Sequence, residues 1–454
     1  MNVISPITLT YFISLRRNSV KRRIAVAATL AATLLGAAAC GSDSESGGAP
    51  NANASVNGAG KTIKVWLMVD AQSGWPEVVK QANDRFTAAT GAQVQVDYQQ
   101  WTDHLAKLDT TLAGNDVPDV VELGNTEMPK YVFNGAFAPL EKSQFDNSAQ
   151  WLTGLSAPCE LDGKTYCVPY YAGARVLLYR TDLFDKAGLA APKTYDELVS
   201  AAKTLKEKNG SDKQFSAFYM PGKYWYAAMA WVHGNGGQIA KKDGDKWVGA
   251  LSEPGAQAGL AKWAELAKTY SSGDPTKDEN DQDAVYAQGK SGMLYGNGWE
   301  LGAVQEQPKD PNNPASAKVK TKVNGKVATA PLPGIPSFLG GSDVAVTAKS
   351  PNADLAAKWA QIFTDAKSQE GLIAKGVLPN ATSLLDKAAA VKGNEATALA
   401  AKETWFVPMA PKWSDVESAN VLQNMLVSIA TGKATVPAAA KDADAKINEI
   451  LNAA

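Results

Sequence analysis

Strand-like and helix-like segments alternate from residue 62 to 124, and this alternation constrains the fold more than any other feature of the chain. TIKVWLMV (62–69) is a continuous apolar run of strand length. A loop through Asp70 and Gly74 follows, then a helix-length stretch from Trp75 to Thr90 that stops at Gly91. AQVQVDYQQ alternates Val94, Val96 and Tyr98 as a strand does. HLAKLDTTLAG sets Leu105, Leu108 and Leu112 at helical spacing, and PDVVEL is a short buried strand. Strand, helix, strand, helix, strand requires a parallel sheet, so the chain opens on an α/β body.

The alternation then returns. VLLYRTDLF reads as a strand, and TYDELVSAAKTLKEKNG as a helix with a capping box in Thr194 and Glu197 and a stop at Gly210. FSAFYM, LAKWAELAKTY and SGMLYG continue as strand, helix and strand. After a polar, Pro- and Lys-rich excursion from Pro308 to Lys326, KVATAPLP and SDVAVTA read as strands and Pro351 to Phe363 as a helix. The remainder, ending in AKDADAKINEILNAA, is mainly helical. A chain of 454 residues exceeds what one core supports, so the two runs describe two α/β bodies. No repeat of fixed period is present.

The N-terminus carries Arg16, Arg17, Lys21, Arg22 and Arg23 ahead of an uncharged run, Ile24 to Ala39, that ends in small residues before Cys40. That run is too short to span a bilayer and reads as a secretion signal over 1–39, with residues 1–20 a long leader or a misplaced start. Cleavage before Cys40 with a diacylglycerol on its sulfur resembles bacterial lipoprotein processing, although Ala37 stands where that motif usually has Leu. The alternative is an ordinary signal peptide that leaves Cys40 a free thiol. GSDSESGGAPNANASVNGAG follows, small and polar without periodicity, so residues 40–60 are expected to form a flexible tether.

Taking the five basic residues of the leader from 45 leaves 40 Lys plus Arg against 46 Asp plus Glu. The mature chain is therefore acidic, with no basic patch to hold nucleic acid. Cys159 and Cys167 flank ELDGKTY, whose Asp162-Gly163 signals a hairpin turn that sets the thiols face to face. In an oxidising compartment they are expected to form a disulfide worth about 2 to 3 kcal/mol. A metal pair would need further ligands, and His104 and His233 lie far off in sequence.

The order of segments resembles the family 1 extracellular solute-binding proteins, the maltose-binding-protein group of ABC importers. The resemblance rests on Trp66 in the opening strand leading to Asp70, PDVVELGNTE with the later GAFAPL, GMLYGNGWE, and PLPG followed by GGSDVAV. It rests also on PYYAGARVLLYRTDLF, which has Arg180 where that family usually has Asn or Asp. It implies a type II periplasmic-binding-protein-like α/β fold, two lobes joined by hinge strands around a cleft. The first lobe would take 61–172 plus 334–380, the second 176–328 plus 381–454, with hinges near Tyr171 to Arg175 and Ala328 to Pro333. It further implies a monomeric, lipid-anchored, extracytoplasmic receptor without cofactor or metal. Such a receptor closes on a carbohydrate and passes it to ABC permease subunits and, through them, to ATPase subunits.

Sugars present flat C–H faces to aromatic rings and a girdle of hydroxyls to carboxylates, amides and Arg, and the chain has 12 Trp and 14 Tyr. The candidate ligand-binding residues follow the matched segments. Asp70 follows the first strand, and Asn125, Thr126 and Glu127 follow PDVVEL, where open α/β sheets bind ligands; the competing reading is a capping or solvated loop charge. Trp299 with Glu300 follows a buried strand between glycines. Tyr224 and Trp225 form a second aromatic platform or divide between core and cleft. Tyr171 and Arg175 sit on the expected hinge. Phe338, Gly340, Gly341 and Ser342 lie in a loop whose glycines allow close approach, and Trp405 and Trp413 precede the last helices.

A secreted glycoside hydrolase would also carry aromatic rings and two carboxylates in a cleft. No Gly-x-Ser-x-Gly elbow, zinc motif or phosphate loop accompanies them, and two histidines leave little acid–base chemistry. A surface adhesion lipoprotein is a further rival, as is a receptor for a non-sugar solute such as a glycerol phosphate, with Arg175 the one cation in its favour. The aromatic content points to a di- or oligosaccharide.

Overall fold

Strand Thr62–Met68 pairs in parallel with Gln93–Gln99 along its whole length and, through Val65 and Trp66, with Val120–Gly124. The structure, a computed structural model, describes residues 49–279, 282–310 and 316–453, so the signal segment and Cys40 lie outside the described residues. Helices Pro76–Thr90 and His104–Ala113 make the crossovers. The first begins with Pro at its first turn and stops at Gly91, which takes φ 77 and donates its amide to the Thr87 carbonyl. The expected loop after the first strand is instead a short helix, Val69–Gly74, because Ala71 turns inward and is buried.

The strand Val168–Arg180 ties the molecule together. Its first half pairs antiparallel with Ser337–Val346. Its second half pairs antiparallel with Ser291–Asn297 on one edge, Arg175 opposite Asn297, and with Val327–Ala330 on the other. The partner strand Ser337–Val346 crosses in the same way, continuing into the first sheet beside Val120–Gly124 and pairing at Ser337 and Phe338 with Thr404–Trp405. One nine-stranded sheet therefore runs through both bodies. Residues 327–330 belong wholly to the second body's edge, so the second crossing falls after Ala330.

Each body has its own core. Phe86, Tyr170, Trp359 and Phe363 fill the first, and Phe218, Trp231, Trp263 and Trp413 the second. A third apolar set, including Ala172, Ala174, Val176, Leu339, Leu378 and Leu385, lines the crossing strands.

The reading of VLLYRTDLF as strand holds only to Arg180. Thr181–Ala187 is helical because Asp182 in its first turn captures the Arg180 guanidinium with two bonds of 2.7 Å and Gly188 caps its end at φ 71. Thr194 caps its helix by accepting from the Glu197 amide, while the Glu197 carboxylate accepts from Lys193. Helix Trp225–Gly234 escaped the sequence reading because WYAAMAWV is buried on nearly every side and so has no polar period. The tether is shorter than expected. Ala52 is fully buried and its amide donates to Gln144, and a Cβ on Gly58 would meet Ala92 at 2.6 Å, so the chain packs from Pro50 onward. Asp162 and Gly163 take φ 50 and 74 in the hairpin between Glu160–Leu161 and Lys164–Thr165, and Cys159 is bonded to Cys167 across it.

Gly341 stands opposite Ala172, just before the register irregularity between Ser342 and Asp343 where the two crossing strands meet. Its φ is +142, and a Cβ there would stand 2.1 Å from the Tyr171 carbonyl oxygen. Gly341→Ala is expected to cost about 2 to 4 kcal/mol in urea unfolding; an unchanged midpoint would show that the crossing tolerates a side chain.

Candidate ligand-binding cleft

The carboxyl ends of the parallel strands bring the candidate residues to common edges. In the first body the ends of 62–68, 93–99 and 120–124 deliver Asp70, Trp101 and Glu127. In the second, the parallel strands Ser216–Tyr219 and Ser291–Asn297 deliver Tyr224 to Tyr226 and Trp299.

The first wall is a hydrogen-bonded chain. The Trp101 indole N–H donates to Asp70 Oδ2 at 2.5 Å, and the Trp101 ring meets His104 edge-on at 5.2 Å between centroids. His104 Nδ1 lies 3.0 Å from the Trp101 carbonyl and Nε2 lies 3.0 Å from Glu127 Oε2. Both partners are acceptors, so this geometry suits the imidazolium, with both nitrogens donating. Burial opposes that charge, but the bond and charge of Glu127 outweigh it, and the His104 pKa is raised. Glu127 also accepts from the Gly124 amide at 2.9 Å. Sequence reasoning missed Trp101 and His104. The available signal was a Trp among polar residues just past a strand, the same one that marked Trp299.

Asn125 is a joint between segments. It is buried, and its side-chain amide donates to the Gly154 and Leu339 carbonyls at 2.9 and 2.8 Å, so both N–H groups are already taken. Thr126 is half-buried beside it. Ser342 is fully buried and bonds Tyr171 Oη at 3.3 Å, and Gly341 lies against the Tyr171 backbone. These residues stand behind the wall, next to two buried carboxyls. Burial pushes Glu122 up to about 7 against the Met68 amide and the Ser342 hydroxyl. Asp343, with no hydrogen-bond partner on either oxygen, is pushed well above the usual carboxylate range by burial and by Glu122.

The second wall centres on Arg175. Its Nε donates to Tyr224 Oη at 2.9 Å and one terminal nitrogen reaches both oxygens of Glu279 at 3.2 Å. The guanidinium carbon lies 4.4 Å from the Tyr226 ring centre and 5.2 Å from that of Phe338, a cation held among aromatic faces. Tyr224, Trp225, Phe338, Trp405 and Trp413 are all buried, so these rings fill core, and Tyr226, stacked on Trp225 at 3.9 Å, is half-buried. Trp413 acts through a neighbour: its indole N–H donates to Glu417 at 2.7 Å.

Trp299 is 62% exposed and Trp101 39%, the two exposed tryptophans among the described residues. The Trp299 ring lies flat enough on the crossing strand that a Cβ on Gly173 would meet it at 2.4 Å; Gly340, in the partner strand beside Gly173, is half-buried. Glu300 turns away and is buried, accepting from the Asn297 amide and from Gln282. Burial, far more than the charge of Glu127, pushes the Glu417 carboxyl up to about 7, against the bond it accepts from the Trp413 indole.

One sheet carried through two bodies by a pair of crossing strands, with candidate residues at the carboxyl ends of its parallel strands, defines a two-lobed type II solute-binding fold. The family model described as bacterial extracellular solute-binding protein matches residues 81–401, and the chain belongs to that family. It is 34% identical to the diacetylchitobiose-binding protein DasA of Streptomyces coelicolor over 95% of this chain and 99% of that one. A lactose-binding protein of Rhizobium radiobacter is 27% identical over 57% of this chain and 61% of its own. Among solved structures, the GacH receptor of Streptomyces glaucescens, studied with acarbose, has a TM-score of 0.71 at 20% identity, covering 87% of this chain and 99% of that chain. A cyclo/maltodextrin-binding protein in complex with maltotetraose has a TM-score of 0.70 at 21% identity, covering 86% and 97%. Membership makes the protein an extracytoplasmic binder and not an enzyme.

Burial pushes Glu300 up to about 7, opposed by its bonds from Asn297 and Gln282. A carboxyl held higher in the folded chain than in the unfolded one makes the folded state the better proton binder, so its contribution to stability falls as pH rises towards 7. Between about pH 5 and pH 8 the wild type is expected to lose stability relative to Glu300→Gln in parallel melting curves. Equal changes in the two proteins would contradict this environment for Glu300.

Proposed function

We propose that the protein is the carbohydrate receptor of an ABC importer, closing two lobes on a di- or oligosaccharide and presenting it to a permease. The observation that carries this is Trp299, a large ring left open to solvent over Gly173 of the crossing strand, in a chain whose first body carries a second exposed tryptophan, Trp101, bonded to the acceptor Asp70. Hydroxyl-bonding groups between exposed rings suit a sugar's alternating faces. Relatives named for diacetylchitobiose and lactose support the same reading, and the identity to the first makes a chitobiose-sized ligand the leading choice. A phosphate ester is disfavoured because the Arg175 guanidinium is already held by Glu279 and Tyr224.

In this reading the lobes comprise about 61–172 plus 334–380 and 176–328 plus 381–454, and the crossing strands are the hinges. Ligand shifts the population towards the closed state by its higher affinity for that state. We further propose that Cys40 carries the lipid anchor, that the Cys159–Cys167 bond persists outside the cytoplasm, and that the receptor works as a monomer.

Calorimetric titration with diacetylchitobiose, cellobiose and maltose tests the proposal. At least one saccharide is expected to bind and to be recovered uncleaved, and Trp299→Ala is expected to weaken it about tenfold or more, the equivalent of about 1.4 kcal/mol. Binding of no saccharide, or undiminished affinity in the variant, would overturn the reading.

A further inference from the structure

His104 supports an inference about ligand binding that rests on the receptor reading above. Its side chain is buried, while the Trp101 ring beside it is exposed and Asp70 and Glu127 are half-buried. It therefore acts on a ligand only through the neighbours it holds.

Those contacts form a closed circle. The Trp101 ring meets the imidazole edge-on at 5.2 Å, the Trp101 carbonyl lies 3.0 Å from Nδ1, and Glu127 Oε2 lies 3.0 Å from Nε2. Gly124 joins the two ends. Its amide donates to the same Oε2, and a Cβ on it would stand 3.2 Å from that oxygen and 3.6 Å from the Trp101 ring. Oε2 thus takes two protein donors, and Oε1 takes none among the described residues. The Trp101 indole in turn donates to Asp70 Oδ2.

The circle needs a doubly protonated ring. A neutral imidazole keeps one N–H, so either the Trp101 carbonyl or Glu127 Oε2 would face a bare nitrogen lone pair and be pushed away. The other charges near the ring are Asp103, ion-paired with Lys107 on its own segment, and Glu122, on the strand that leads to Glu127. Asp70 is reached through Trp101, and Lys130 and Tyr131 on helix Met128–Phe133 are spent on Asp109. Acids prevail around the ring, which favours its charged form.

We propose that the His104 imidazolium is the positioning residue of the first wall, setting the Trp101 face and Glu127 Oε1 towards the sugar, so that saccharide affinity depends on the protonation of this one ring. Burial favours the neutral ring, but the bond and charge of Glu127 outweigh it and keep the ring charged above the usual histidine range. Affinity is then highest where the ring is charged and falls as pH rises through its raised pKa. By linkage the sugar strengthens the ring's hold on its proton in return, and binding takes up protons near that pH.

Calorimetric titration with the tightest binder among diacetylchitobiose, cellobiose and maltose, in buffers of two different ionisation heats, tests this. From about pH 6 to about pH 9 affinity is expected to fall about fivefold or more, with net proton uptake on binding. His104→Gln is expected to bind at the weakened level throughout, without proton uptake, whereas a merely structural loss would leave the slope of the pH profile in place. A flat wild-type profile would overturn the inference and leave the receptor standing. So would a slope that survives in His104→Gln, which would assign it to another group such as Glu122. If the variant does not melt cooperatively, imidazole NMR of the wild type decides. His233, the other histidine, is buried with its pKa pushed down to about 4, so the resonance that titrates above about pH 6 belongs to His104. Its midpoint must rise when the saccharide binds, and an unchanged midpoint would overturn the inference. Failure of every saccharide to bind would remove both readings.

Discussion

The structure depends on one shared strand. Val168–Arg180 supplies hydrogen-bonding edges to both halves of the one sheet, handing over from Ala174, opposite Leu339, to Arg175, opposite Asn297. Everything at the site is referred to that handover. Tyr171 bonds Ser342, Arg175 reaches Tyr224 and Glu279, and the Trp299 ring rests on Gly173 between them. The strand is long enough to bend at its middle without breaking either half, since each body keeps its own apolar core. Gly341 permits the second strand to press against the first at the same level, where a side chain would collide with the Tyr171 carbonyl.

The carboxyls around this crossing show what the arrangement costs. Glu122, Asp343, Glu300 and Glu417 are each buried enough to be pushed upward, and Asp343 has no hydrogen-bond partner at all. Buried acids of this kind disfavour the folded state once they ionise. Glu122 accepts from the Met68 amide, Glu300 from the Asn297 amide and Glu417 from the Trp413 indole, while Asp343 is left unpaired. The receptor thus keeps a polar interior next to a binding surface, and polar groups left without partners are what discriminates between ligands of the same shape.

Much of the fold was legible because strand and helix periods alternate cleanly. The five elements from Thr62 to Gly124 lie where Val94, Val96, Leu105 and Leu108 put them. What failed to show were segments without a period. WYAAMAWV is a helix with no polar face, and residues 50–60 pack through Ala52 and Gly58, which look like linker residues in one dimension. Asp70, Glu127 and Trp299 were singled out at strand ends and Arg175 on the expected hinge, and the structure sets Trp101 and His104 beside the first two and Tyr224 and Glu279 beside Arg175. Trp225 and Trp413 are equally large rings in similar local sequence, yet they point into the core, and the sequence does not say which way a ring faces. Tyr226 and Glu279 come together on the Arg175 guanidinium from separate segments, a convergence that only tertiary packing reveals.

The central claim is that the shared strand acts as a hinge on which two lobes close around ligand. Small-angle X-ray scattering of the protein alone and at saturation with a calorimetrically verified saccharide tests it directly. The account predicts a smaller radius of gyration with ligand bound. Superimposable curves, in a sample shown to be saturated, would contradict hinge closure and make the cleft a rigid site.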